Sequence, residues 1–132
     1  MIVLDASAVV EMVLRTDCGE RVADEIASSR AGSHAPQLLD AEVASVLRRL
    51  QCDHQVSAQT AEASLLAFQL LPIQRHALAM LLPRAWELRK NLTIYDGLYV
   101  ALAEALHAPL LTADRRLIRA AGSHTEIDWL DA

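Results

Sequence analysis

Cysteine is scarce in this sequence. Cys18 and Cys52 are the only two, and neither sits in a CxxC or Cys/His spacing. A disulfide framework and a thiolate zinc site are therefore not expected. No apolar run approaches the ~20 residues that a membrane span requires. The opening MIVLDAS has no basic n-region, and Asp5 interrupts its apolar run, so a secretory signal is not expected either. There is no internal repeat, low-complexity segment or linker. Lysine is nearly absent: of 12 basic residues only Lys90 is not arginine. Positive charge is also in the minority, with 17 acids giving a formal net charge of −5, which does not favour a general nucleic-acid binder. These absences leave a single soluble, cytoplasmic domain spanning residues 1–132 and making no membrane contact.

What is present is an apolar content of 53%, slightly above that of ordinary soluble domains, arranged in short runs. Ile2–Asp5, Ser33–Pro36, Leu70–Gln74 and Pro109–Ala113 read as strands, with Ile127–Leu130 as a fifth at the edge. Pro72 suits an edge or a strand start. Helical spacing fills the gaps at Ala6–Leu14, Gly19–Ser29, Gln37–Leu50, a segment opened by Ser57 as N-cap, Leu78–Asn91 with a break expected at Pro83, and a segment opened by Thr93. Thr93 with Asp96 three residues on forms an acidic capping-box variant. The order βααβααβααβαβ predicts right-handed crossovers and a mostly parallel sheet of four to five strands between helical layers, a three-layer α/β/α arrangement.

In such a sheet, ligands bind at the carboxyl ends of the strands. Asp5 ends the first strand and Asp114 follows the fourth. Glu42 and Asp96 lie early in helices that can point at the same rim. Asp40 and Glu42 are two apart, roughly 200° around a helix, so only one of them can face it. Glu42 aligns with Val46 on the core-facing stripe and is the choice; Asp40 faces solvent. Taken singly, Asp5 and Asp114 are ordinary N-cap residues, Asp96 a capping acid and Glu42 a solvated one. Taken together, each strand-end acid has a hydroxyl two residues away, Ser7 beside Asp5 and Thr112 beside Asp114, suited to holding a carboxylate. Four converging carboxylates cannot all stay ionised unaided, since two charges 4 Å apart repel by roughly 4 kcal/mol at an effective dielectric of 20. An oxygen-only set points to Mg²⁺ or Mn²⁺ and to phosphoryl chemistry. The histidines (His34, His54, His76, His107, His124) read as scattered surface or loop residues.

The stretches VLDASAVVE, LLDAEVASVLRR, YDGLYVALAEAL and LLTADRRL, in this order across essentially the whole chain, resemble the PIN domain, and more narrowly the VapC-type toxins of bacterial toxin–antitoxin pairs. The resemblance implies a Mg²⁺- or Mn²⁺-dependent endoribonuclease that hydrolyses RNA phosphodiester bonds with a metal-activated water. It places Asp5, Glu42, Asp96 and Asp114 as the catalytic and metal-holding acids, with Ser7 and Thr112 in support. It also implies a toxin homodimer and a VapB-type antitoxin whose C-terminal segment blocks the groove. Relatives often carry a further acid two or three positions after the last Asp; Arg116 and Leu117 stand there in this chain. Arg84, Arg89, Lys90, Arg115, Arg116 and Arg119 are the candidates for holding the RNA backbone. The competing expectation is a PIN-like module that binds protein partners without turnover.

Overall fold

The computed structural model describes residues 1–122, 124–125 and 129–131. The chain runs β1 (Ile2–Leu4), α1 (Ala6–Val13), α2 (Asp17–Ser28), β2 (Ser33–Pro36), α3 (Leu38–Cys52), α4 (Ala58–Gln69), β3 (Ile73–His76), α5 (Leu82–Glu87), α6 (Ile94–Leu106), β4 (Leu110–Thr112), α7 (Arg115–Ala121) and β5 (Trp129–Asp131). This is the element order expected from the sequence. The strand foreseen at Ile127–Leu130 is represented by β5, while residues 127 and 128 lie outside the described residues.

All strand pairs are parallel, in the order β3-β2-β1-β4-β5. From β1 the chain steps one way to β2 and β3, then crosses back to β4 and continues to β5. With right-handed crossovers, the two halves of such a sheet carry their helices on opposite faces, giving a three-layer α/β/α fold. The packing agrees: α1 lies against α2, α3 and α4, whereas α6 lies against α5 and over β1, β2 and β4. Between β1 and β4 the direction of winding reverses, and the loops leaving these two strands diverge to open a crevice at their carboxyl ends. Asp5 and Asp114 stand at those ends.

Helix starts follow side-chain chemistry. Asp5, Thr16, Ser57, Thr93 and Asp114 each accept a hydrogen bond from a first-turn amide, which satisfies donors that have no partner inside the helix. The core is aliphatic, and Val3, Leu4, Val9, Leu39, Val43, Leu110 and Leu111 are fully buried. Gly19 lets α2 approach α1, since a Cβ there would stand 2.1 Å from the Glu11 carbonyl oxygen.

Three expectations shift. Pro83 does not kink a long helix; it occupies the first turn of the short α5, where its missing N–H costs nothing. Pro72 precedes β3, which therefore begins at Ile73 and extends to His76. The histidines are not all scattered on the surface: His34 is buried on β2, and its Nδ1 lies 2.9 Å from Nε2 of His76 on β3. The cysteines are unpaired, as expected. Among the described residues, no helix is long and apolar enough to cross a membrane.

Candidate functional site

Asp5 is the most fully built part of the crevice. It is 5% exposed and caps α1 by accepting from Ala8 N at 3.0 Å on Oδ1. Ser7 Oγ donates to the same oxygen at 2.7 Å, and Thr112 Oγ1 donates to Oδ2 at 2.6 Å. The two hydroxyls are 3.2 Å apart, but each has one proton and spends it on Asp5, so neither donates to the other. In turn each accepts a backbone amide from the β4–α7 junction, Ser7 from Ala113 N at 2.9 Å and Thr112 from Asp114 N at 3.0 Å. Two loops far apart in sequence are thereby tied to one carboxylate. Burial pushes the Asp5 carboxyl above its usual range, the three donors pull it back, and the charge of Asp114 pushes it up again.

Asp114 caps α7 through Arg116 N at 2.9 Å, and Arg116 Nε lies 3.4 Å from the same Oδ1. Asp96 sits in the first turn of α6. Thr93 Oγ1 accepts from its amide at 3.1 Å, the first half of a capping box, while its carboxylate lines the crevice. Burial raises the Asp96 carboxyl, and Asp114 adds to the rise. Glu42, near the start of α3, is half-buried; burial raises it too, Tyr99 draws it down, and Asp96 and Asp5 push it up. Glu42 Oε1 and Tyr99 Oη are both buried with no hydrogen-bond partner. Burial, and after it Glu42, holds the Tyr99 hydroxyl far above the ordinary phenol range.

All four acids and Ser7 line one groove of about 660 Å³. Thr112 lies beneath it, fully buried. As the side chains stand, no three acids, histidines or cysteines among the described residues close into a ready-made metal cage. Asp40, by contrast, points outward and pairs with Arg75 at 3.0 Å, as helix periodicity requires.

The cations distribute less simply. Arg116 lines the groove. Arg84 does not; it is held by Glu104 at 2.7 Å and Glu87 at 2.9 Å over a separate hollow between α5 and α6. Arg89 lies over the Trp86 ring with 4.6 Å to the centroid, and Arg115 pairs with Asp131 at 3.0 Å. Lys90 and Arg119 are exposed and lie outside the groove lining. Four polar groove residues escaped the sequence reading, Glu11, Arg49, Gln55 and Tyr99. Two of them had a usable signal: Arg49 follows Glu42 and Val46 on one helical stripe at i+7, and Tyr99 follows Asp96 at i+3.

The PIN domain family profile matches residues 2–123. Among characterised proteins, Ribonuclease VapC12 of Mycobacterium tuberculosis is 40% identical over 97% of this chain and 98% of its own length. Ribonuclease VapC9 of the same organism is 42% identical over 89% of this chain and 88% of its own. The solved structure of PAE2754 from Pyrobaculum aerophilum superposes with a TM-score of 0.69 at 22% identity, covering 97% of this chain and 81% of that one. FitAB bound to an IR36 DNA fragment superposes with a TM-score of 0.68 at 16% identity, covering 99% and 94%. At those identities the structures speak to the fold alone, whereas the sequence matches speak to the family. The chain belongs to the PIN domain family and, within it, groups with the VapC ribonucleases.

Proposed function

We propose that this protein is a Mg²⁺- or Mn²⁺-dependent endoribonuclease, the toxin of a type II toxin–antitoxin pair, and that Asp5, Glu42, Asp96 and Asp114 form its hydrolytic site. The observation that carries the reading is the convergence of four carboxylates, from four different elements, on one groove at the switch point of a parallel sheet. Burial and mutual repulsion raise three of them, Asp5, Glu42 and Asp96. A set of this kind is unfavourable for folding by itself and becomes favourable once a cation offsets it.

The donor set fits a hard divalent ion. The atoms that would hold it are carboxylate oxygens, and one of them, Glu42 Oε1, is buried without a partner. Asp5 Oδ2, with a single donor, keeps a free lone pair. The open spacing suits Mg²⁺, which keeps several waters and takes only one or two carboxylates directly. When bound, such an ion supplies positive charge that makes nearby water more acidic and offsets charge developing on a phosphate.

The remaining roles belong to the chain itself. Ser7, Thr112 and the Ala8 amide hold the Asp5 carboxylate in one orientation, so its position is set before substrate arrives. Arg116 and Arg49 place positive charge along the groove where a phosphodiester backbone lies. Glu42, its carboxyl raised by burial, is placed to take a proton in the groove. The antitoxin is proposed on the likeness to VapC proteins: a small partner protein whose terminal segment fills the groove, with the toxin acting as a homodimer.

The test is cleavage of single-stranded RNA with and without Mg²⁺ or Mn²⁺. Asp5→Asn and Asp96→Asn should abolish ion-dependent cleavage while circular dichroism and melting show a folded protein. Unchanged cleavage by both variants would sink the assignment. Co-expression with the neighbouring reading frame should yield a complex that no longer cuts, and a stable, uninhibited toxin would count against the antitoxin.

A further inference from the structure

The groove extends well beyond the acids. Its far half is lined by aliphatic side chains of α1 and α3, and Glu11, Gln55 and Arg49 also stand on it. Hydrolysis at a phosphate does not by itself use such an extension. Resting on the ribonuclease reading above, we infer that it seats an unpaired base beside the scissile linkage, and that Gln55 is the residue that selects the base.

Gln55 is held in place by its backbone. At the end of α3 the chain makes a double turn: His54 N donates to Gln51 O at 3.0 Å and Gln55 N to Leu50 O at 2.9 Å, the bond pattern of a Schellman ending. The residue that must turn left-handed is His54, with φ of 57°, where Gly is the usual occupant. A non-Gly residue in this region is held there by its surroundings rather than by its own preference. The Val56 amide also reaches Leu50 O, at 3.3 Å. Three successive amides thus fix the backbone from which the Gln55 side chain projects to the groove.

The chemistry of that side chain is what a base edge requires. Among the described polar side chains on this groove, Gln55 is the only amide. An amide presents a donor and an acceptor side by side, and so can pair with a base edge that offers the complementary couple. Carboxylates and guanidinium groups offer only one kind of partner. Arg49 completes the seat. It makes no ion pair among the described residues, unlike Arg84, Arg115 and Arg116. Its planar guanidinium is free to lie against a splayed base or hold the adjacent phosphate. The aliphatic side chains of Val46, Leu50 and Val56 line the same groove and offer a base an apolar surface that does not compete for its hydrogen bonds.

The experiment uses the full chain with Mg²⁺ and a set of single-stranded RNAs that differ only in the bases flanking one cleavable linkage. The wild type should prefer one base. Gln55→Ala should lower kcat/KM for that base and shrink its advantage over the next by roughly 5- to 150-fold, the range for loss of a two-point base contact. Arg49→Ala should raise KM for every member of the set and leave the ranking in place. His54→Gly, which relieves the left-handed residue, should keep both fold and preference. A Gln55→Ala protein that retains the wild-type ranking, or a wild type with no preference, overturns the inference. Variants that cut with unchanged preference yet escape inhibition by the co-expressed partner also overturn it, because the far half would then serve the partner's segment alone. A wild type that cuts none of the set overturns the ribonuclease reading itself, and the two failures are distinct.

Discussion

Replacing Thr112 by Val tests whether the hydroxyl network sets the state of Asp5. Valine has nearly the same shape, and Thr112 is 0% exposed, so the substitution removes two hydrogen bonds and little else. One is the donation to Asp5 Oδ2 at 2.6 Å; a bond to a charged group of this kind contributes about 1.5–3 kcal/mol. The other is the acceptance from Asp114 N at 3.0 Å, whose loss adds about 1 kcal/mol. Asp5 responds by taking a proton more readily, which recovers part of the cost, so the net loss is about 2–4 kcal/mol. With an unfolding entropy of about 2.1 cal/mol/K per residue, a chain of 132 residues loses about 7–14 °C in Tm. Thr112→Ser keeps both bonds and gives up one buried methyl, about 1 kcal/mol. The pH dependence supplies a second signature. The variant raises the folded-state pKa of Asp5 further above its unfolded value, so the folded protein binds more protons than the unfolded chain over a wider window. Stability then falls as pH rises through that window, and the deficit against wild type is smallest in acid and largest near neutrality. Calorimetric melts from pH 4 to pH 8 without divalent ions check both. A Thr112→Val protein within about 0.5 kcal/mol of wild type, or a Thr112→Ser protein that melts just as low, would refute the reasoning.

Other consequences follow from the same geometry. The wild type without divalent ions should lose stability as pH rises from about 4 through the raised carboxyl values of Asp5, Glu42 and Asp96. Each of them binds more protons folded than unfolded there; Glu42→Gln should flatten the slope in a melting series. Added Mg²⁺ should raise Tm at neutral pH, by the equivalent of about 2.7 kcal/mol at a hundredfold excess over Kd, and lose this effect in acid; Asp5→Asn should show no such rise. Asp40→Asn breaks an exposed pair with Arg75, so it should cost at most about 1 kcal/mol and leave RNA cleavage unaltered in a kinetic assay. Gly19→Ala would drive a Cβ into the Glu11 carbonyl, and the strain should exceed the helix-propensity gain, for a net loss of about 1–3 kcal/mol in urea titrations.

Much of this site was legible because the signals are local. A short apolar run ending in an acid, followed by helical spacing, marks a strand end and an N-cap together, and both Asp5 and Asp114 fill both places. Helix periodicity separated Glu42 from Asp40 without any long-range information. The cations were less legible because their partners are distant in sequence. Arg84 finds Glu104 twenty positions away on the neighbouring helix, and no pattern within α5 announces that pairing. The His34–His76 contact depends on the register of β2 against β3, which neither strand carries alone. Gln55 was hidden for a third reason: its position follows from a left-handed His54, and a Schellman turn without glycine has no sequence mark.

The position of Asp5 joins folding and the proposed chemistry in one group. Its carboxylate ends the central strand, starts α1 and collects the hydroxyls that bind the β4–α7 junction. Any change that makes the site electrostatically easier, such as Asp5→Asn, leaves the architecture possible. One amide oxygen can still accept from Ser7 and Ala8, the amide nitrogen can donate to Thr112, and the Thr112 proton is then free for Ser7 at 3.2 Å. The network therefore does not require a charge in order to fold. It is the charge, buried and opposed by Asp114, that the fold supports at a cost in stability, and a cost of this kind is what the proposed chemistry would account for.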